Sequence, residues 1–312
     1  MSQRSRFNVV RGPFGGKALV VGEISGIKIG LDRTWVIVLA LVVYSLRANF
    51  LAEHPDWSGG LALGSALTTS LLFFTSILLH ELGHSLVSNA LGLPVRSITL
   101  FIFGGVAALS REPDRPRDEF LIAIAGPAVS AVLAVLFTAA AGFIPGDPLA
   151  FQVLGVICAW IGTINFILVV FNAIPGFPLD GGRVFRSFIW AVSGSYTAAT
   201  RVASVGGGLF AALLISVGLY GSFAGGRPSL NGLWPILLGL FLLRTAVVSY
   251  IMLPRMYEAR TLARAKAQAL ARHRFESAQR AAAAEAMAGA RGAEEISREE
   301  HLGEDGLRDP AV

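Results

Sequence analysis

Cysteine is all but absent: Cys158 is the only one in 312 residues. That excludes an internal disulfide and any cluster of thiolate metal ligands, and Cys158 itself, inside an apolar run, reads as packing. Charge is scarce too. Asp, Glu, Lys and Arg make up 15% of the chain against 54% hydrophobic residues, with a mean hydropathy of +0.61, which excludes an ordinary soluble domain of this size. The balance is basic, with a sequence pI near 9.8. The Lys and Arg residues follow topology, however, rather than forming one stripe beside stacking aromatics, so no nucleic-acid partner is expected. The N-terminus lacks a short apolar segment with a small-residue cleavage site. "MSQRSRFNVVRGPFGGK" is basic and polar, and the first apolar run therefore reads as an anchor. No internal repeat of solenoid period is present.

What the chain does have is long charge-free runs, at 34–46, 57–79, 120–146, 148–179, 202–226 and 228–243. Several exceed the roughly 20 residues that cross a ~30 Å hydrocarbon core as a helix. The expected fold class is an all-α polytopic membrane protein with about six transmembrane helices, near 33–50, 62–91, 119–144, 150–172, 197–222 and 230–252. Charge sets the orientation. Arg4, Arg6, Arg11, Lys17, Lys28 and Arg33 precede the first helix, Arg96, Arg111, Arg115 and Arg117 follow the second, and Arg183 and Arg186 follow the fourth. The opposite loops hold only Arg47 and Arg227, so the positive-inside rule places both termini in the cytoplasm, with the cell membrane as the expected location. The domains are expected as an N-terminal cytoplasmic segment (1–32), a six-helix membrane domain (33–252) and a cytoplasmic tail (253–312). The tail is rich in Ala, Arg and Glu, helical first and disordered over about its last twenty residues.

Two segments break the helical pattern. "SITLFIFGGVAAL" is β-branched and aromatic, too short to span, and interrupted by Gly104 and Gly105, which predicts a membrane-associated β-hairpin between helices two and three. Non-helical backbone at membrane depth must be buried in protein or line a wet cavity, and an edge strand there can pair with an extended peptide. The second segment, "FNAIPGFPLDGGR" at 171–183, unwinds the fourth helix, because prolines remove donors and glycines permit unusual φ. Asp180 enters at that break.

The chemistry is concentrated in "SILLHELGHSLV" at 76–87. His80 and His84, four apart, share one helix face and can both reach one metal ion, with Glu81 placed as general base: the H-E-x-x-H arrangement of zinc hydrolases. With 5 His and 13 Glu among 312 residues, chance supplies about 0.003 such matches. Ionisable groups inside a membrane are expensive and usually functional. A catalytic zinc site usually takes a third protein ligand. His54, His273 and His301 fall in a loop and the tail, whereas Asp180 lies at the helix break; its plain alternative is a turn-forming Asp before Gly181. Gly126 reads as a packing notch on helix three rather than a kink with Pro127, and Asn165 as an interhelical hydrogen bond rather than a substrate contact.

"HELGH", "LFIFGGVA", "EFLIAIAGP" and "NAIPGFPLDGGR", in that order over roughly residues 24–190, together resemble the site-2 protease family of intramembrane zinc metalloproteases. The resemblance implies a six-helix membrane fold holding one Zn²⁺ per chain, bound by His80, His84 and Asp180. Glu81 would activate water, and Asn172 would help hold the oxyanion. It also implies substrates that are single-span membrane proteins cut within the lipid bilayer. Relatives with nucleotide-sensing CBS pairs or a PDZ insertion differ from this chain, whose tail and loops are too short for either. The rival expectations are a metal-ion transporter, against which the absence of repeat symmetry counts, and a non-catalytic membrane scaffold. Whether the chain forms a homo-oligomer is left open.

Overall fold

The computed structural model describes residues 9–11, 17–102, 104–223 and 232–305. Six helices are long and apolar enough to cross a membrane: α1 (Arg33–Glu53), α2 (Gly59–Ala90), α3 (Pro116–Phe143), α4 (Leu149–Asn172), α6 (Tyr196–Phe223) and the first part of α7 (Leu233–Asp305). The protein is a multi-pass integral membrane protein. A shorter helix, α5 (Asp180–Ser193), follows the break after α4 and was not expected from hydropathy. It is amphipathic, with Asp180, Arg186, Ser187 and Trp190 buried while Phe188 and Val192 are exposed. Its end is set by Gly194, left-handed at φ +68, whose N–H bonds to the Trp190 carbonyl.

The chain divides into two compact units, 1–254 and 255–312, at Pro254 inside α7. In the second unit the helix is described as far as Asp305, further than composition suggests, and its side chains from Thr261 to Ala283 are exposed. The remainder of the expected disordered end, 306–312, lies outside the described residues.

The expected hairpin is present as β4 (Val95–Phe101) and β5 (Gly104–Leu109), but within a larger sheet. β1 (Val9–Arg11), β2 (Lys17–Ile24) and β3 (Ile27–Leu31) complete five strands in the order β1-β2-β3-β4-β5. All neighbours are antiparallel except β3 and β4, which run parallel because α1 and α2 lie between them in the chain. The missed hairpin had a readable signal. Ser25 and Gly26 both take positive φ (51 and 80) between "KALVVGEI" and "IKIGL", the tight two-residue turn that matches strand twist. The sheet packs on the second half of α2, where Ile27, Ile29, Val95 and Ile98 surround Leu82. Asp32 caps α1 by accepting from Thr34 N (3.0 Å) and gives its own N–H to Leu100 O (2.9 Å), so the sheet fixes where α1 starts.

α2 is the central helix, the most buried of the spans. It packs on α1, α3, α4 and the last two strands. Several of its hydroxyls are satisfied within the helix, Thr69, Ser70 and Ser76 each bonding the carbonyl four residues back, as an apolar surrounding favours. Asn165 of α4 is fully buried and donates to Ser76 Oγ at 3.1 Å, the interhelical bond expected of it.

Candidate metal centre

The periodicity of α3 organises the site. Glu119, Ile122, Ala123, Gly126, Ser130 and Ala134 are its buried positions, recurring at three- and four-residue steps apart from the adjacent pair Ile122 and Ala123, and form one stripe. That stripe faces the second half of α2. His80 Nδ1 lies 2.9 Å from Ser130 Oγ, and His84 Nδ1 lies 2.6 Å from the Ile122 carbonyl. A carbonyl only accepts, so His84 carries its hydrogen on Nδ1, and Ser130 allows the same tautomer for His80. Both Nε2 atoms then point the other way, toward each other at 3.2 Å.

Asp180 meets them there. Its Oδ2 lies 3.0 Å from His80 Nε2 and 3.2 Å from His84 Nε2, and all three residues are buried. The backbone around Asp180 is held by its own turn. Leu179 N bonds to Gly176 O (3.0 Å), Gly182 N to Leu179 O (3.0 Å), and Phe177 N to Ala203 O of α6 (3.0 Å). Gly181 and Gly182 press against the backbone of Ala173, Ile174 and Gly176, and Gly207 against that of Phe177, so closely that a Cβ at any of the three would overlap main-chain atoms. The glycines that the sequence marks as helix breakers are thus also what lets the loop fold back on α5 and α6.

Three electron-rich atoms, two imidazole nitrogens and a carboxylate oxygen, therefore converge in a buried space. Their mutual approach is repulsive unless a positive charge sits among them. One proton can serve one pair; a divalent cation serves all three. The separations of 3.0–3.2 Å are near the edge of a tetrahedron, about 3.3 Å, built on zinc–nitrogen and zinc–oxygen bonds of roughly 2.0–2.1 Å. The residues fit such an ion, and His80, His84 and Asp180 form the group of metal-binding type found among the described residues.

Two glycines shape the walls. A Cβ on Gly126 would overlap the His84 ring, 2.6 Å from Cε1 and 2.7 Å from Cδ2; the notch expected for helix packing in fact receives the imidazole. Gly126→Ala should displace His84 and lower zinc affinity by roughly 10- to 100-fold, as other losses of ligand support do. Competition with a chelator on the purified protein measures this; unchanged affinity would refute the role of the notch. The second wall is Gly105 of β5, where an added Cβ would lie 2.5 Å from Glu81 Cγ. The sheet thus holds the Glu81 side chain through a position that has none.

Asn172 is at the last turn of α4 and donates to Leu168 O at 3.0 Å. With Pro127, Pro175 and Gly181 it lines a largely apolar cavity of about 700 Å³ between α3, α5 and the end of α4. It does not join the three-residue cluster. His54 stacks on Trp57 in the α1–α2 loop, at 4.5 Å between ring centroids, and His273 is exposed on α7. Sequence reasoning missed Glu119 and Arg186, which are buried and paired. The available signal was Glu119, a carboxylate in the first turn of an apolar helix; Arg186, in the middle of the amphipathic α5, carried none.

Residues 68–156 and 147–216 match the model of peptidase family M50. A Synechocystis sp. protein that bears a zinc-metalloprotease name is 40% identical over 235 residues, 75% of this chain and 60% of its own length. Rip3 of Mycobacterium tuberculosis, also named as a zinc metalloprotease, is 36% identical over 235 residues, 73% of this chain and 58% of its own. The chain thus spans about 60% of the length of these curated relatives. Among solved structures, a site-2 protease from Methanocaldococcus jannaschii is 27% identical, covering 75% of this chain and 95% of its own, with a TM-score of 0.47.

Proposed function

The chain belongs to peptidase family M50, and from that premise we propose that it is an intramembrane zinc metalloprotease that hydrolyses peptide bonds in single-span membrane proteins. The observation that carries this reading is the convergence of His80 Nε2, His84 Nε2 and Asp180 Oδ2 inside a membrane-spanning bundle. In this reading those three residues hold one zinc ion. When bound, the ion supplies a Lewis acid that polarises the scissile carbonyl and makes a water acidic near neutral pH.

The chain's own residues do the rest. Glu81, one residue beyond the first histidine and braced on Gly105, takes a proton from the attacking water as its oxygen bonds to the carbonyl carbon. It then returns that proton to the amide nitrogen as the C–N bond breaks, and the water's second proton passes from the new carboxyl group to the amine, leaving a carboxylate and an ammonium group. Asn172 has two N–H donors on its amide, and one is given to Leu168; the other serves the carbonyl oxygen as charge develops there. The Nδ1 bonds of both histidines fix their rings throughout.

A helical peptide bond is shielded and its carbonyl already bonded, so the substrate has to unwind before it is cut. β5 is the terminal strand of the sheet, paired on one side with β4, and carries Gly105 against Glu81. An unwound segment can extend the sheet there. The positive-inside bias supports a cytoplasmic membrane with both termini, residues 1–32 and 253–312, in the cytoplasm. In proteoliposomes, a single-span reporter with Gly, Pro or Asn near the cytoplasmic end of its span should be cleaved, and a poly-Leu span should resist. Cleavage of both at equal rates would refute the unwinding step.

A further inference from the structure

Beyond the three candidate ligands, the most buried charged group is a second cluster 6 residues along α5. Arg186 is 1% exposed and Glu119 of α3 is 0% exposed. Arg186 Nε donates to Glu119 Oε1 at 2.6 Å and Nη2 to the same oxygen. Nη1 donates to Tyr196 OH at 2.8 Å, and Nη2 also to Glu112 Oε2 at 3.3 Å. The guanidinium stacks on the Phe177 and Tyr196 rings, at 4.7 Å to each centroid. Burial works against its charge, but the carboxylates outweigh it and hold its pKa above the ordinary arginine value.

A buried ion pair is weak evidence for stability, since desolvation offsets the attraction. Its place in the fold suggests another use. Glu119 stands three residues before Ile122 on the stripe of α3 whose Ile122 carbonyl, Gly126 notch and Ser130 hydroxyl seat both imidazoles. One helix face thus grips α2 through the histidines and α5 through Arg186. Asp180 is the first residue of α5, and the loop before it supplies one anchor. A helix fixed at one end can pivot; Arg186, about 9 Å further along at ~1.5 Å per residue, supplies the second anchor.

We propose that the Glu119–Arg186 pair is a positioning device for the third metal ligand: it locks α5 to the face of α3 that seats His80 and His84, so that Asp180 Oδ2 arrives between their Nε2 atoms. The inference rests on Asp180 being a ligand, and its test separates the two claims. In the full-length protein in detergent, zinc affinity is measured by chelator competition and site geometry by the visible absorption of the Co²⁺-loaded form. The variants are Asp180→Ala, the doubly apolar Glu119→Leu/Arg186→Met, and all three changes together. The doubly apolar variant removes both fully buried charges together, and the charged groups that also touch them, Arg183 and Glu112, reach solvent (18% and 34% exposed), so it should fold.

It should bind zinc about 10- to 100-fold more weakly and shift the Co²⁺ bands, as a lost supporting contact does. In the Asp180→Ala background the same double change should have no further effect, because the ligand it positions is gone. Wild-type affinity in the doubly apolar variant, or a full additional loss in the triple variant, overturns the proposal. Unchanged affinity in Asp180→Ala instead overturns the ligand reading beneath it. Should the doubly apolar variant not fold, Tyr196→Phe decides: it removes one hydrogen bond to the guanidinium and keeps the ring. It should weaken zinc binding in the same direction, by less, and unchanged affinity there overturns the proposal.

Discussion

Changing Glu81 to Gln should lower cleavage by roughly 10²- to 10⁴-fold, the usual worth of a general acid–base group, while the purified protein keeps a full complement of zinc. Gln has the shape of Glu and fits the same place against Gly105, but its amide does not take a proton from water. Glu81 lies outside the cluster of three convergent donor atoms, so metal binding has no reason to fail. The paired result is what matters. Loss of zinc together with activity would make Glu81 a ligand or a structural support, and retained cleavage would remove it from the chemistry. In membranes, the proposed activity predicts that the same variant leaves uncut a membrane protein that is cut in the wild type, which comparative membrane proteomics detects.

Asp180→Ala is expected to act earlier, on the metal itself. It deletes the one anionic donor and leaves two imidazole nitrogens 3.2 Å apart with nothing opposite them. Zinc affinity should fall by more than the roughly 100-fold that marks the loss of an outer supporting contact, and cleavage should fall with it. Metal analysis after dialysis against a chelator reads this directly. A variant that retains one zinc per chain would show that His80 and His84 find their third partner elsewhere. Asp180→Asn, similar in size but uncharged, should bind zinc with affinity between the two, since it keeps an oxygen donor and loses the charge.

The spans and the candidate site were legible in the sequence for a shared reason: membranes impose long apolar runs, and any departure from them stands out. His80, Glu81 and His84 were visible as ionisable groups on a helix fit for lipid, and Asp180 as a carboxylate at a break rich in Pro and Gly. The strand pair β4–β5 was visible from Gly104, Gly105 and the β-branched residues before them. What escaped was whatever depends on pairing across distance. β3 and β4 are joined only after two helices intervene, so the first three strands read only as a basic, polar N-terminal segment. α5 escaped because half its surface is polar and hydropathy averages over both faces. Gly126 was legible as a small residue on a helix, but that its notch holds an imidazole follows only from the register of α2 on α3. Glu119 and Arg186 lie 67 residues apart, and no local spacing links them.

The 32-residue length of α2 doubles as a depth gauge. At ~1.5 Å per residue, His80 lies about 32 Å along the helix from Gly59, a distance comparable to the whole thickness of a ~30 Å hydrocarbon layer. Water entering from the side where α2 ends therefore has only a shallow descent to make. A protein cut at this level would lose its grip near one rim of its span, and the fragment set free on that side would drag little greasy sequence into solution.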